Sequence, residues 1–128
     1  ILRCSSPVHS ILRVVTRDTI LGGEVIPKGS KLMLRYISAN RDEKVFDDPE
    51  RFEVDRKDVN RHLAFGEGGR HVCIGLMLAR RELTIAFEQL FKRLTPVRIG
   101  IDEDQIEYMS SMILRGVKRL PIHFESLD

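Results

Sequence analysis

The stretch FGEGGRHVCIG, Phe65–Gly75, followed at once by LMLARRELTIAFEQLFKRL, residues 76–94, decides how this chain is read. Four of its eleven residues are glycines, and they surround one of only two cysteines in the sequence. Beyond Gly75 the pattern changes: Leu76, Ala79, Leu83, Ala86, Phe87, Leu90, Phe91 and Leu94 recur at three- and four-residue spacing with charges between them. That is the period of one apolar face of an α-helix. The spacing predicts a long helix over about 75–94, closed by Thr95-Pro96. Cys73 then lies at the N-terminus of that helix, where unpaired backbone N–H groups and the helix dipole stabilise negative charge. Glycines in the preceding loop let backbone amides approach the sulfur, and such N–H···S contacts tune a metal-bound thiolate. Arg70 and His71 place positive or hydrogen-bonding groups beside it.

Taken residue by residue, several readings of Cys73 stand together. A lone cysteine at a helix start is commonly a small packed hydrophobe. It is also a candidate thiolate ligand. A zinc site with His62 and His71 is a third reading, although no Cys-x-x-Cys or His-x-x-x-His pair accompanies it. A phosphate loop is weaker still, since no Gly-Lys-Ser/Thr closes the glycine run.

Upstream, HSILRVVTRDTILGGEVIPKGSKLMLRYI, residues 9–37, is rich in β-branched residues and broken by Gly22-Gly23 and Pro27-Lys28-Gly29. Strands are predicted at Leu12–Thr16, Thr19–Leu21, Glu24–Ile26 and Lys31–Arg35, with Gly22-Gly23 supplying a tight hairpin turn. YISANRD reads as a short helix. The polar segment 41–64 has no sustained period and is long for a structureless loop, which points to a functional or pinned stretch. Downstream, a short strand at Val97–Ile99 and a hairpin turning near Arg115-Gly116 fill the C-terminal part, 97–125.

The 128 residues match one ordinary domain in length, and 42% hydrophobic content suffices for a core. A net charge of +2 argues against nucleic acid as the default partner. No apolar run approaches the roughly 18 residues of a membrane span, and the start lacks the pattern of a secretory signal. Two distant cysteines, Cys4 and Cys73, form no disulfide framework, so a cytoplasmic setting is expected. The opening ILRCSSP reads as the last turn of a helix ended by Ser5-Ser6-Pro7, its beginning outside the sequence.

The stretch HLAFGEGGRHVCIGLMLARREL, residues 62–83, resembles the haem-ligating loop and following helix of the cytochrome P-450 family, the haem-thiolate monooxygenases, in its bacterial style. LRCSSPV, RVVTRD, GGEVIPKGSKL, SANRDEKVFDDPERFEVDR, LARRE and LRGVKRLPIHF resemble further segments of that family, in its order. The resemblance covers nearly the whole chain. It implies an α+β portion of a mainly α fold: a β-rich part at 8–35, the irregular segment 41–64, the cysteine loop 65–75, the long helix and the C-terminal hairpin. It implies haem b as cofactor, O2 and an apolar small molecule as substrates, and a ferredoxin-type electron donor.

By that resemblance Cys73 is the axial ligand of the haem iron. His71 and Arg13 match positions that bind the haem propionates, and Phe65 the aromatic packed beside the sulfur. Gly69, Arg70 and Gly75 complete the cofactor-binding loop. Val8, His9, Ile11 and Leu12, with Met112, Ile113 and Leu114, match substrate-facing segments; ordinary core packing is the alternative for the apolar ones. Arg3 and Arg51 resemble the arginines of a structural network whose glutamate would fall immediately before Ile1, leaving Arg3 a charge without its partner. Phe65 stands one residue further from Cys73 than the family pattern places it, whereas His71 and Gly69 are in register. An extra residue among Gly66–Gly69 accounts for this, and glycines absorb such a bulge at low steric cost. Arg70, Arg80, Arg81 and Lys92 are either the docking face for an acidic donor or a solvated helix face. The expected activity of the intact protein is insertion of one oxygen atom from O2 into an apolar substrate, with this segment alone inactive. A peroxide-driven haem enzyme and a non-catalytic haem-binding fragment are the alternatives.

Overall fold

The computed structural model describes residues 1–125. The chain forms two compact units, Ile1–Ala64 with Ser111–Arg115, and Phe65–Ser110 with 116–125.

In the first unit, strand β1 (Ser10–Val14) pairs antiparallel with β4 (Lys31–Arg35), in a register running from Ser10 opposite Arg35 to Val14 opposite Lys31. Between them β2 (Thr19–Leu21) and β3 (Glu24–Ile26) form a hairpin. Its turn residues Gly22 and Gly23 take φ of 60° and 89°, the positive values that a two-residue hairpin turn with the strands' own twist requires. β2, β3 and β4 occupy the predicted residues, whereas β1 begins two residues earlier than Leu12. Pairing decides this: β4 extends to Arg35, so its ladder reaches back to Ser10. Short helix α1 (Tyr36–Ala39) follows β4 directly.

The segment 41–64 has one short 3₁₀ turn, Val59–Arg61, and otherwise no regular structure. Arginines pin it. Arg56 donates to both carboxylate oxygens of Asp58, at 2.9 and 3.2 Å, and to the carbonyls of Asp47 and Asp48; the hydrogen bond to Asp58 holds that carboxyl below its usual range. Arg41 joins Glu50 to the Cys4 carbonyl, and Arg61 reaches the Val45 carbonyl. Irregular backbone leaves carbonyls without ladder partners, and a guanidinium with five N–H donors satisfies several at once.

The centre of this unit is polar. Its buried apolar residues are Val15, Phe46 and Ala64; buried beside them are Arg3, Ser6, Ser10 and Asn40. Arg3, expected without its glutamate, meets backbone oxygens. Its guanidinium donates to the carbonyls of Asn40, Pro49 and Arg51 at 2.9, 2.7 and 3.0 Å and lies 5.1 Å from the centroid of the Phe46 ring. Arg51 joins through its backbone oxygen, while its own side chain is exposed.

In the second unit, helix α2 spans Leu76–Arg93. Gly75 stands at its N-cap, and Lys92 and Arg93 lie in its last turn, where positive charge complements the helix dipole. No residue of α2 is buried. Its apolar face keeps Phe87 and Phe91 stacked on each other at 6.0 Å, with both rings open to solvent. Further along, β5 (Arg98–Ile99) pairs with β6 (Ile122–His123). Tyr108 bridges Val117, flanked by the backbone bonds Met109 N–H to Gly116 and Lys118 N–H to Glu107, both 2.8 Å. The C-terminal hairpin therefore closes across 107–109 and 116–118 instead of turning tightly at Arg115-Gly116. The intervening residues 111–115 belong to the first unit, where Leu114 bridges Val8 and Ile113 accepts the His9 N–H.

Replacing Arg3 with Met leaves three carbonyls without donors in a buried site. The loss expected is about 1–3 kcal/mol, the cost of leaving enclosed neutral acceptors without a donor, measured by chemical denaturation of the intact protein.

Candidate functional site

The second unit shapes the cysteine loop from backbone conformations that side chains resist. Gly66, Gly68 and Gly69 adopt φ of 79°, 35° and 75°, in the region where L-residues other than glycine are strained. A Cβ on Gly66 would also lie 3.4 Å from the His71 carbonyl oxygen. These glycines fold Phe65–Val72 into a tight curl around a 3₁₀ turn, Gly69–His71. The curl is closed by one hydrogen bond: the Cys73 N–H donates to the Phe65 carbonyl at 3.0 Å. The Cys73 carbonyl then accepts the Leu76 N–H at 3.1 Å, and the chain enters α2.

The Cys73 side chain is exposed. Its sulfur faces the Cα of Gly75, where a Cβ would come within 3.8 Å. His71 and Arg70 are exposed in the same curl. Phe65 is half-buried, with the Arg80 guanidinium 5.8 Å from its ring centroid, a cation–π distance. Arg80 thus spends its charge partly on the loop, while Arg70, Arg81 and Lys92 are exposed.

The first unit holds the other sequence-predicted residues. Arg13 is exposed on β1, its Nη1 donating to the neighbouring Leu12 carbonyl. Val8–Ser10 and Met112–Leu114 lie side by side: Val8 bridges Leu114, Ser10 donates its hydroxyl to the Met112 carbonyl at 2.8 Å, and His9 its N–H to the Ile113 carbonyl at 2.7 Å. Leu12, Met112, Ile113 and Leu114 are each exposed. His9 is half-buried, with its Nε2 enclosed and without a hydrogen-bond partner. Burial first, then the positive charges of Arg115, Arg35 and Arg41, push its pKa below the ordinary histidine value. Among the described residues no group of three or more His, Cys, Asp or Glu side chains could hold a metal ion. The zinc reading therefore finds no support, and the Nδ1 of His62 accepts the Ala64 N–H instead.

The sequence reading passed over Asn40 and Ser6, both buried to 1% exposure or less and joined by a 2.9 Å hydrogen bond from Asn40 Nδ2 to Ser6 Oγ. Asparagine and serine are ordinary surface and turn residues, so composition carried no signal of their burial.

The family model for cytochrome P-450 matches residues 1–122. The chain belongs to the cytochrome P-450 family. It is 40% identical over 123 residues to the steroid C26-monooxygenase of Mycobacterium tuberculosis, covering 96% of this chain and 30% of that protein. It is 38% identical over 125 residues to the 6-deoxyerythronolide B hydroxylase of Saccharopolyspora erythraea, covering 98% and 30%. Its fold matches that of a substrate-free cytochrome P-450 of Mycobacterium marinum with a TM-score of 0.90 at 36% identity, covering 99% of this chain and 32% of that one. The chain thus spans about a third of the length of these relatives. The family implies haem, and the donor chemistry fits: an exposed sulfur, bordered by a glycine without a side chain, suits a soft metal centre reached from outside the loop.

Two outcomes follow from this geometry. Gly66→Ala is expected to destabilise the loop by about 1–2 kcal/mol through its left-handed backbone alone, read as faster haem loss. For His9, the folded protein binds a proton less readily than the unfolded chain, whose histidine titrates near about 6.5. Its stabilising share is complete above that pH and declines as pH falls towards the depressed folded value. Thermal midpoints on either side of about pH 6.5 should fall with acid in the wild type, and less in His9→Phe.

Proposed function

We propose that this segment is the haem-binding part of a monooxygenase that inserts one atom of O2 into an apolar organic substrate, with Cys73 as the axial ligand of haem b. The observation that carries the reading is the Cys73 loop, in which an exposed sulfur stands at the start of α2 on a glycine curl closed by the Phe65 carbonyl. The names of the relatives, a monooxygenase and a hydroxylase, support the reaction class.

Bound haem supplies the activation of O2, and a thiolate ligand donates electron density that favours O–O cleavage. This chain's own residues hold and orient. The bond between the Cys73 N–H and the Phe65 carbonyl fixes the backbone that presents the sulfur. Arg80 over the Phe65 ring keeps that aromatic against the loop. Exposed His71 and Arg13 are the propionate partners in this reading, since two carboxylates need cationic or N–H donors. Gly69 and Arg70 shape the curl. Exposed Leu12, Met112, Ile113 and Leu114, with Val8 and Ile11, suit a hydrophobic substrate, His9 and Ser10 being the polar exceptions of these segments. Arg70, Arg81 and Lys92 offer positive charge to an acidic ferredoxin-type donor, whose association would weaken with added salt.

The test is the carbon-monoxide difference spectrum of the reduced, haem-loaded protein. A thiolate-type Soret band is expected in the wild type and its complete loss in Cys73→Ala; a band that survives the substitution sinks the ligand assignment. Turnover of an apolar substrate with a reduced ferredoxin is expected, and turnover with peroxide alone would move the protein to the peroxide-driven class.

A further inference from the structure

Three arginines gather around His9 inside the first unit, and the haem-binding reading gives none of them a role. Backbone bonds place them. Arg35 stands opposite Ser10 in the β1–β4 ladder, one residue along from His9. The Arg115 N–H donates to the Pro7 carbonyl at 2.8 Å, on the other side of His9. Arg41 donates to the carbonyls of Cys4 and Ile37 at 2.7 and 3.4 Å, and the Ile37 N–H donates to the His9 carbonyl at 3.3 Å. Burial first, then all three positive charges, keep the imidazole below its ordinary pKa, and no carboxylate is among the groups acting on it.

The arginines are not equally occupied. Arg41 is spent on Glu50, at 3.1 Å, and on its two carbonyls. Arg35 is exposed, and among the described residues its guanidinium has no hydrogen bond or ion pair. An anion bound there gains from the whole cluster, because like charges already stand close together without a counter-charge at their centre. The guanidinium fork matches the two oxygens of a carboxylate.

Apolar groups adjoin this cation. Cross-strand partners share a sheet face, as do residues two apart on one strand. Arg35 opposite Ser10 and Met33 opposite Leu12 therefore put Arg35 and exposed Leu12 on one face at diagonal positions. The Ser10 hydroxyl on that face holds the Met112 carbonyl at 2.8 Å, so exposed Met112 comes alongside. A wholly apolar ligand would desolvate Arg35 with nothing in return. A hydrocarbon with an anionic end satisfies both neighbours.

We propose that Arg35 is a specificity-determining residue: within the haem-monooxygenase reading, on which this inference rests, its guanidinium binds the carboxylate of an amphiphilic substrate whose hydrocarbon part lies against Leu12 and Met112.

The experiment measures binding of decanoate and of decyl alcohol to the haem-loaded intact protein by isothermal titration calorimetry at neutral pH, where a carboxylate is ionised. Wild type, Arg35→Gln and Arg17→Gln are compared, Arg17 being an exposed arginine just beyond β1. The wild type is expected to bind decanoate more tightly than the alcohol. Arg35→Gln should weaken decanoate by roughly tenfold, the ratio that corresponds to one charge-assisted hydrogen bond, and leave the alcohol unchanged. Arg17→Gln should change neither. The proposal is overturned by an unchanged decanoate affinity in Arg35→Gln, by an equal loss for both probes, or by the same loss in Arg17→Gln. Faster haem loss in Arg35→Gln would assign the guanidinium to a cofactor propionate and overturn it as well. A wild type that shows the thiolate carbon-monoxide band but binds no decanoate sinks this inference and leaves the haem-thiolate reading standing. Absence of that band in the wild type overturns the haem-thiolate reading, and this inference with it.

Discussion

A guanidinium enclosed by protein must find acceptors, and the irregular half of the first unit is organised around that requirement. Arg3 is 3% exposed and gives its N–H groups to three carbonyls that come from the end of α1 and from the segment behind it. Those carbonyls have no ladder of their own, so donor and acceptors solve one another's problem. Phe46 at 1% exposure fills the space against the guanidinium face. With only Val15, Phe46 and Ala64 as buried apolar residues in the unit, hydrogen bonding determines the path of 41–64 more than apolar burial does. Charge-assisted bonds are directional as well as strong, and a segment held in this way has one path without being a helix or a strand.

The second unit obeys a different constraint. Its curl at Phe65–Cys73 has to reverse within a few residues and still deliver Cys73 to the start of α2. Three glycines at positive φ make the reversal, and one backbone bond between the Phe65 carbonyl and the Cys73 N–H closes it. The irregular segment is thus held by arginine side chains, whereas the curl is shaped by residues that have none.

Much of this was legible in advance, and the physical reason is local. The helix at 76–93 announced itself through its apolar period and the Thr95-Pro96 stop, and the hairpin through Gly22-Gly23. Both depend on interactions within a few residues. The start of β1 was misjudged because its limit is set by β4, some twenty residues away, whose ladder runs to Arg35. Arg3 was expected without its glutamate, and the backbone oxygens that serve its guanidinium could not be read in advance, because they converge only in the folded chain. Asn40 left no trace in the pattern at all, since its burial exists only once Ser6, Arg3 and Leu63 have converged on it. Among the candidate site residues, the cysteine loop could be read from glycine spacing, and the pairing of 8–10 with 113–114 could not.

What the sequence determined by itself is therefore the set of short-range choices: which residues form α2 and the β2–β3 hairpin, where glycine must appear, and which cysteine faces a helix start. These follow from backbone sterics and periodicity, which act along the chain. What only the tertiary structure decided is which polar groups are taken out of water together: Arg3 with three carbonyls, Asn40 with Ser6 and Leu63, and His9 with an Nε2 enclosed and unpartnered. Desolvation is a property of a place in space, and no residue carries it until the chain has folded around it.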